Sequence, residues 1–543
     1  MSVFDHLNSS SMLHSDLRES GPSFVIDVLT DDSDCPGGVA IGEIMADGTV
    51  NPDILPNGFD LDLPKGHLIL YDAIQQLPRL ENRAGGIQPD FDDLRIMGKL
   101  ANNQEVSPFD LATLIEQELK IPAPRVRIMQ FSEFGEHLEL MARCYQILLK
   151  RINEMGLQRV YALELEVARI VANASQFPVQ LDHAALDIAI QANSTLADSI
   201  EALTGQRIDP ANDTELAGIL YGRNNWIDDI EVKRALAPEH ISKLAAAGYP
   251  IAQAIQRHPR LTQPIRSILN RVAAMNTSSF SLDPLGTVVG GFTVNPPITG
   301  IPNQPVFRSC IAAPAGFQFV HVDMHQQGTR VLAALACDKV FLDAIQRGLD
   351  LHTLTASHIF DIPYEQIGPE SRACGKHVNL AIANGQHTAG LAEALNVPEH
   401  TAEAYCQQFF IQHPAITAFQ DRVLHMAQTG WAITPLGRCR FLPDAAGTGT
   451  GDAASKAFRQ ALNFVVAGAA SDAFKTYLVE VMKSAFGCSL VLADQDSVML
   501  MAPDGRVGHI VTRINEVFSV PIAWLGIPLA VGIKTGPNWG MLQ

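Results

Sequence analysis

The sequence predicts an α/β protein of several domains, and three observations carry that expectation. Short apolar runs mixed with turn signals fill residues 1–150, among them Ser23-Phe24-Val25-Ile26-Asp27-Val28-Leu29 and His67-Leu68-Ile69-Leu70-Tyr71-Asp72, ahead of a helical pattern over 110–120. Strand-length runs next to a helical period are what an α/β unit requires. Between 136 and 170, apolar residues recur at helical spacing (Leu140, Tyr145, Leu148, Ile152, Leu157, Tyr161, Leu165, Val167) with no proline, so long helices should join this unit to the next. Residues 180–275 keep a helical pattern, 277–322 become rich in Gly, Pro and Thr, and Phe317-Gln318-Phe319-Val320-His321-Val322 then reads as a strand that delivers Asp323. With 543 residues, 47% hydrophobic and 18% charged, the chain can fill several cores.

Bulk properties exclude several classes. The apolar stretch 520–533 is interrupted by Pro521 and Pro528 and is too short for a bilayer, so no membrane helix is expected. Asp5, Asp16 and Glu19 occupy the N-terminus without a basic region ahead of an apolar core, which predicts a cytoplasmic protein of a bacterial cell or a phage-infected host. Eight scattered cysteines form no CxxC pair, the spacing that a zinc or redox site uses. Net charge is −19, but residues 1–150 hold 24 acidic and 11 basic residues, a net of −13 that leaves −6 for the remainder. A local basic groove in the later region can therefore still bind phosphates, while the acidic first part suits solubility or a basic partner.

Three segments carry chemistry. Asp323 closes an apolar strand, which would fix its carboxylate at the rim of a sheet. A second acid, Asp496, sits between the apolar runs Leu490-Val491-Leu492-Ala493 and Val498-Met499-Leu500-Met501, the pattern of a hairpin with acid at its tip. Two carboxylates brought together can hold two Mg²⁺ ions, about 3.5–4 Å apart. Each taken alone is equally readable as a turn aspartate. Between them, Arg372, Lys376 and Leu380 share one helix face, where the cations could grip a triphosphate or be merely solvated.

In order along the chain stand 323–330 (Asp-Met-His-Gln-Gln-Gly-Thr-Arg), Asp350-Leu351-His352-Thr353, the segment 372–385, His413-Pro414, Gly437-Arg438-Cys439-Arg440-Phe441-Leu442-Pro443, Arg459-Gln460-Ala461-Leu462-Asn463, Gln495-Asp496-Ser497 and Gly536-Pro537-Asn538-Trp539. That series resembles DNA polymerase family A, the family of bacterial DNA polymerase I, in its phage or mobile-element form. The resemblance implies a right-hand polymerase over 151–543, with a thumb at about 160–275, a palm at about 277–345 and 430–543, and fingers at about 346–429. It implies that Asp323, Asp496 and the main-chain carbonyl of Met324 bind two Mg²⁺, or Mn²⁺ in their place. Met324, Gly328, His352, Arg372, Lys376, Leu380 and Asn384 would then surround the incoming nucleotide, with Lys376 also passing a proton to pyrophosphate. Arg330, Arg459, Asn463 and Gln495 would face primer and template.

The departures from that pattern bear on what is polymerised. Gly328 replaces a family Glu that excludes a 2′-hydroxyl, Asn384 replaces a Tyr, Leu380 an aromatic, Phe292 an Arg and Ala467 a Gln. Gly328 and Asp496-Ser497 are also similar to single-subunit phage RNA polymerases. The expectation is a DNA polymerase with relaxed sugar selection, taking dNTPs and also NTPs; an RNA polymerase or primase-like enzyme and a non-catalytic nucleic-acid-binding protein are the alternatives. Residues 1–150 faintly resemble the family's RNase H-like 3′–5′ exonuclease, but its carboxylate positions read Asp27, Leu29, Asp72 and His137, with Leu68 where an Asn is usual. A degenerate domain without proofreading is expected, one that a replication partner could use for docking.

Overall fold

The computed structural model describes residues 23–29, 38–45, 49–56, 67–83, 90–102, 110–121, 134–174, 179–222, 231–232, 235–258, 260–274, 280–386, 388–446, 452–485 and 487–542. Strands β1 (Ser23–Leu29), β2 (Gly38–Ile44), β3 (Val50–Pro56), β4 (His67–Leu70) and β5 (Phe91–Asp93) form one sheet in the order β3-β2-β1-β4-β5. β2 runs antiparallel to β1 and β3, whereas β4 is parallel to β1 and β5. The period of two sorts the side chains: Val25 and Ile69 pack on the face covered by helix Phe134–Glu154. Ile26, Leu68 and Leu70 pack on the other face, with helix Ala73–Arg83 and with Ala172 of helix Gln158–Ala174.

The proline-free stretch is helical as expected, in two pieces. Gly156, at φ 69°, takes the left-handed turn between Phe134–Glu154 and Gln158–Ala174. The first of these helices runs unbroken across residue 150. Asp92 anchors both helices to β5: its buried carboxylate accepts Tyr145 Oη at 2.7 Å and Tyr161 Oη at 2.8 Å, with His67 Nε2 at 3.0 Å. Among the described residues, helices Ala192–Thr204, Asp213–Tyr221, Pro238–Ala246 and Pro250–Arg257 follow around two small apolar clusters, one of Leu196, Ile200, Leu216 and Ala254, the other of Leu220, Ile241, Ala245 and Ala252, while the flanking helices His183–Ile190 and Gln263–Ala273 pack into the main core.

Beyond them lie the short pairs β6 (Gln180–Leu181) with β9 (Ile311–Ala312), β7 (Ser281–Asp283) with β8 (Thr293–Asn295), and β11 (Trp431–Ile433) with β12 (Cys439–Phe441). The central sheet is four-stranded and antiparallel, β13 (Ser489–Ala493), β14 (Ser497–Pro503), β10 (Phe317–Met324) and β15 (Val531–Gly536) in that order. Helix Asp452–Ser484, 33 residues long, is the main support of this region and packs against helices Gln158–Ala174, Gln327–Ala336 and Pro414–Ala427. No helix among the described residues is long and apolar enough to cross a membrane.

Four buried charges join these parts. Arg438 donates to Asp472 Oδ1 at 2.6 Å and to Glu164 Oε1 at 2.5 Å, and Lys475 Nζ donates to the same Glu164 oxygen at 2.5 Å. Two cations balance two carboxylates, which is what makes burial of all four tolerable. Gly290 at φ 76° lies under the guanidinium, and a Cβ there would come within 2.4 Å of Arg438 Cζ. Lys475→Met is expected to cost about 3–5 kcal/mol because it strands the Glu164 charge. Urea unfolding checks this, and adding Glu164→Gln should recover part of the loss.

Candidate active site

Strand register brings the two aspartates together. Asp323 stands opposite Ser497 in the β10–β14 pairing, and Met324 N–H donates to the Asp496 carbonyl at 2.8 Å, so the hairpin turn lies against the end of β10. The Asp494 N–H closes that turn on the Ser497 carbonyl at 2.9 Å. On the opposite edge, Asp323 pairs with Gly532 of β15, where a Cβ would meet His325 Nε2 at 2.6 Å. Partial burial, then the neighbouring Asp323 and Asp494 carboxylates, push the Asp496 carboxyl above its ordinary range, with Lys376 pulling the other way. Crowded negative charge of this kind is what a bound cation relieves.

Among the described residues no three His, Cys, Asp or Glu side chains converge on one metal position. The Asp323 and Asp496 carboxylates and the nearby Met324 main chain offer hard oxygens, which could hold Mg²⁺ only with further ligands from substrate phosphates and water.

A cavity of about 1070 Å³ opens in front of the pair, and its walls carry most of the residues expected from sequence: Asp323, Met324, Gly328, Arg330, His352, Arg372, Lys376, Leu380, Asn384, Asn463, Gln495 and Asp496. Arg459 is not among them; its backbone packs against Gly385, and its Nη1 is buried with no partner among the described residues. Helix Pro369–Ala383 starts with Pro at its first position, a favoured start because the missing N–H costs no helical bond. Its exposed face presents Arg372, Lys376 and Leu380 to the cavity.

Tertiary partners define what these side chains can do. Thr355 Oγ1 donates to Asn379 Oδ1 at 2.9 Å, which turns the Asn379 amide so that Nδ2 faces His352 Nδ1 at 2.9 Å. Nδ1 is then an acceptor and the ring proton sits on Nε2. Burial pushes the His352 imidazole down to about 4, so it is a neutral donor at pH 7. Asn463 Nδ2 donates to Asn384 Oδ1 at 3.0 Å, joining the C-terminal end of the cation-bearing helix to the long helix. A Cβ at Gly328 would meet no atom within 4 Å. Arg330 is buried, with its Nε unpartnered among the described residues. Ala467 lines the cavity, whereas Phe292 is buried edge-to-face on Phe474 with Lys475 over its ring.

Sequence reasoning missed Asn379, the acid Asp494 and the pair in which Gln326 Nε2 donates to Asp350 Oδ2 at 2.6 Å. Of these only Asp350 left a local signal, as an Asp immediately ahead of the apolar start of a helix. In the first domain, the side chains of Asp27 and Leu29 lie outside the described residues. Leu68 and His137 are buried. Asp72, at φ 60°, accepts Gln75 Nε2 at 2.9 Å, and the nearby Arg95 charge opposes the rise in its pKa that burial causes. Asp93, also overlooked, is pushed up to about 6 by burial and by Asp72.

Residues 183–541 match the model of DNA polymerase family A, and the chain belongs to that family. Over 417 residues it is 28% identical to DNA polymerase I of Chloroflexus aurantiacus, covering 70% of this chain and 43% of that protein. Over 446 residues it is 26% identical to the thermostable DNA polymerase I of Thermus thermophilus, covering 76% and 52%. The chain thus spans about half the length of these relatives. Its fold is similar to that of the POL domain of Pol1 from M. smegmatis, solved in complex with DNA primer-template and dNTP, with a TM-score of 0.77 over 96% of each chain at 20% identity. The architecture is accordingly the right-hand polymerase fold.

One pH effect follows from the His352 environment. Its folded pKa, about 4, lies below the unfolded value near 6.5, so the unfolded chain binds more protons between those limits. Stability from this group is complete above pH 6.5 and is lost as pH falls towards 4. The difference in urea midpoint between wild type and His352→Gln should narrow across that window.

Proposed function

We propose that this protein is a template-directed, primer-extending DNA polymerase that works with two divalent metal ions, lacks proofreading and selects weakly against ribose. The observation that carries this reading is the cross-strand placement of Asp323 beside Asp496 at the mouth of a cavity whose wall also carries Arg372 and Lys376. Mg²⁺, or Mn²⁺ in its place, would be held by those carboxylates and the Met324 carbonyl, and would activate the primer 3′-hydroxyl and offset charge on departing pyrophosphate. Lys376 and Arg372 bind the triphosphate, Lys376 is placed to protonate the leaving group, and neutral His352 donates through Nε2. Arg330, Asn463 and Gln495 face primer and template, where phosphate contacts give affinity without sequence preference. Arg459, outside the cavity wall, serves the strand beyond it.

Relaxed sugar selection rests on Gly328, which carries no side chain of its own and where a Cβ would meet no atom within 4 Å. The same observation supports the second reading, an enzyme that prefers ribonucleotides. We take the thumb, palm and fingers to have the spans given above. For the first domain, the strand order with β2 alone reversed within β3-β2-β1-β4 supports an RNase H-like, exonuclease-type unit. Leu29 cannot bind a metal, and the Arg95 charge beside Asp72 disfavours a further cation there. Its net negative charge fits a solubilising or partner-docking role better than contact with DNA.

Primer extension with Mg²⁺, offering dNTPs and NTPs separately, tests the activity. Wild type should extend, and Asp323→Asn or Asp496→Asn should each slow extension about a thousandfold or more. ATP should compete with dATP opposite template T, and Gly328→Glu should depress ATP use relative to dATP by about 10- to 100-fold. No extension with either set would leave only a nucleic-acid-binding role. The same preparation, given single-stranded primer and metal, should not digest it; digestion that Asp27→Ala abolishes would disprove the inactive-domain reading.

A further inference from the structure

Arg372 does not reach into the cavity unattached. Its Nη2 donates to Asp350 Oδ2 at 2.7 Å. That same oxygen accepts Gln326 Nε2 at 2.6 Å, and Gln326 Oε1 accepts the Leu351 N–H at 3.2 Å. Gln326 lies three residues beyond Asp323 and sits at φ 56°, a left-handed conformation that Gln seldom adopts. The other carboxylate oxygen of Asp350 caps helix Leu351–Phe360, accepting Thr353 N–H at 2.8 Å and Thr353 Oγ1 at 2.9 Å. Asp350 is thus fixed on three sides by groups near in sequence or in the adjoining turn, and its fourth partner comes from the separate helix Pro369–Ala383.

That fourth contact differs in kind from the others. Both partners keep solvent access, with side-chain exposures of 44% for Arg372 and 30% for Asp350. An ion pair so exposed contributes little to stability and exchanges readily, which suits a contact that is broken in use. A triphosphate in the cavity would offer the same guanidinium several oxygens and more charge than one carboxylate, in a geometry that Arg binds as two parallel hydrogen bonds.

We propose that Asp350 is a positioning residue acting through Arg372: it parks the guanidinium so that an incoming nucleotide must displace a carboxylate to engage it. Any phosphate ligand that engages Arg372 therefore binds at the cost of that ion pair. Gln326 keeps Asp350 in place on the side of the catalytic strand. This inference rests on reading the cavity as the nucleotide site.

Asp350→Asn separates the effects, because Asn caps a helix as well as Asp but carries no charge. Steady-state primer extension would be measured for wild type, Asp350→Asn, Arg372→Gln and the double variant, with dNDP as a competing inhibitor. Asp350→Asn is expected to lower the nucleotide KM about two- to fivefold and to tighten dNDP inhibition, and both effects should vanish on the Arg372→Gln background. An unchanged or raised KM, or an equal fall when Arg372 is already Gln, overturns the proposal while leaving the polymerase reading intact. A wild type that extends no primer overturns both. Should Asp350→Asn fail to fold, Asp350→Ser caps without charge and is held to the same outcomes.

Discussion

The register between β10 and β14 is the constraint on which the site depends. Side chains alternate along a strand, so a slip of one residue would turn Asp323 away from the cavity and put an apolar neighbour in its place. Pairing Asp323 with Ser497 and bonding Met324 N–H to the Asp496 carbonyl fixes that register at its functional end. The apolar residues of the two strands hold it along the rest, since Phe319, Val320, Val322, Leu500 and Met501 are all buried. The Asp496 carboxylate is thereby held where burial and its acidic neighbours raise its free energy, an arrangement that a cation or a proton relaxes.

A second level of constraint keeps the cavity walls in position. The long helix Asp452–Ser484 supplies Asn463, Val466, Ala467, Ala470 and Ser471 to the cavity and Asp472 and Lys475 to the buried charge cluster. Apolar packing alone would tolerate sliding of this helix against its neighbours; four interlocked charges do not, because each shift strands a buried ion. Helix Gln158–Ala174 carries Glu164 into that cluster and also carries Tyr161 to Asp92. The N-terminal sheet and the central sheet are consequently tied together through this one helix, so the N-terminal part can buttress the cavity.

Much of this was legible in the sequence where the signal is local. Strand-ending Asp323, the acid-tipped turn at Asp496 and the shared face of Arg372, Lys376 and Leu380 follow from periods of two and 3.6, and the ordered motifs supplied what single sites lacked. What escaped notice was long-range. Asp350 holds Arg372 across 22 residues, Asn379 orients His352 across 27, and Asn463 meets Asn384 across 79, and no local pattern encodes such pairs. Arg459 stands off the cavity wall with its backbone packed against Gly385, a placement that its position in the motif series does not fix. The helical period over 136–170 likewise concealed the break at Gly156, since one left-handed residue does not disturb the apolar stripe on either side.

The proposed chemistry requires Asp323 and Asp496 to act as a single metal-binding unit. Its most direct test is a Mn²⁺ titration, followed by electron paramagnetic resonance, of the protein bound to a primer-template with a 3′-deoxy terminus and the matching dNTP. The account predicts that Asp323→Asn and Asp496→Asn each abolish tight binding, with the double variant scarcely worse than either single one. Wild-type affinity and stoichiometry in either single variant would contradict it.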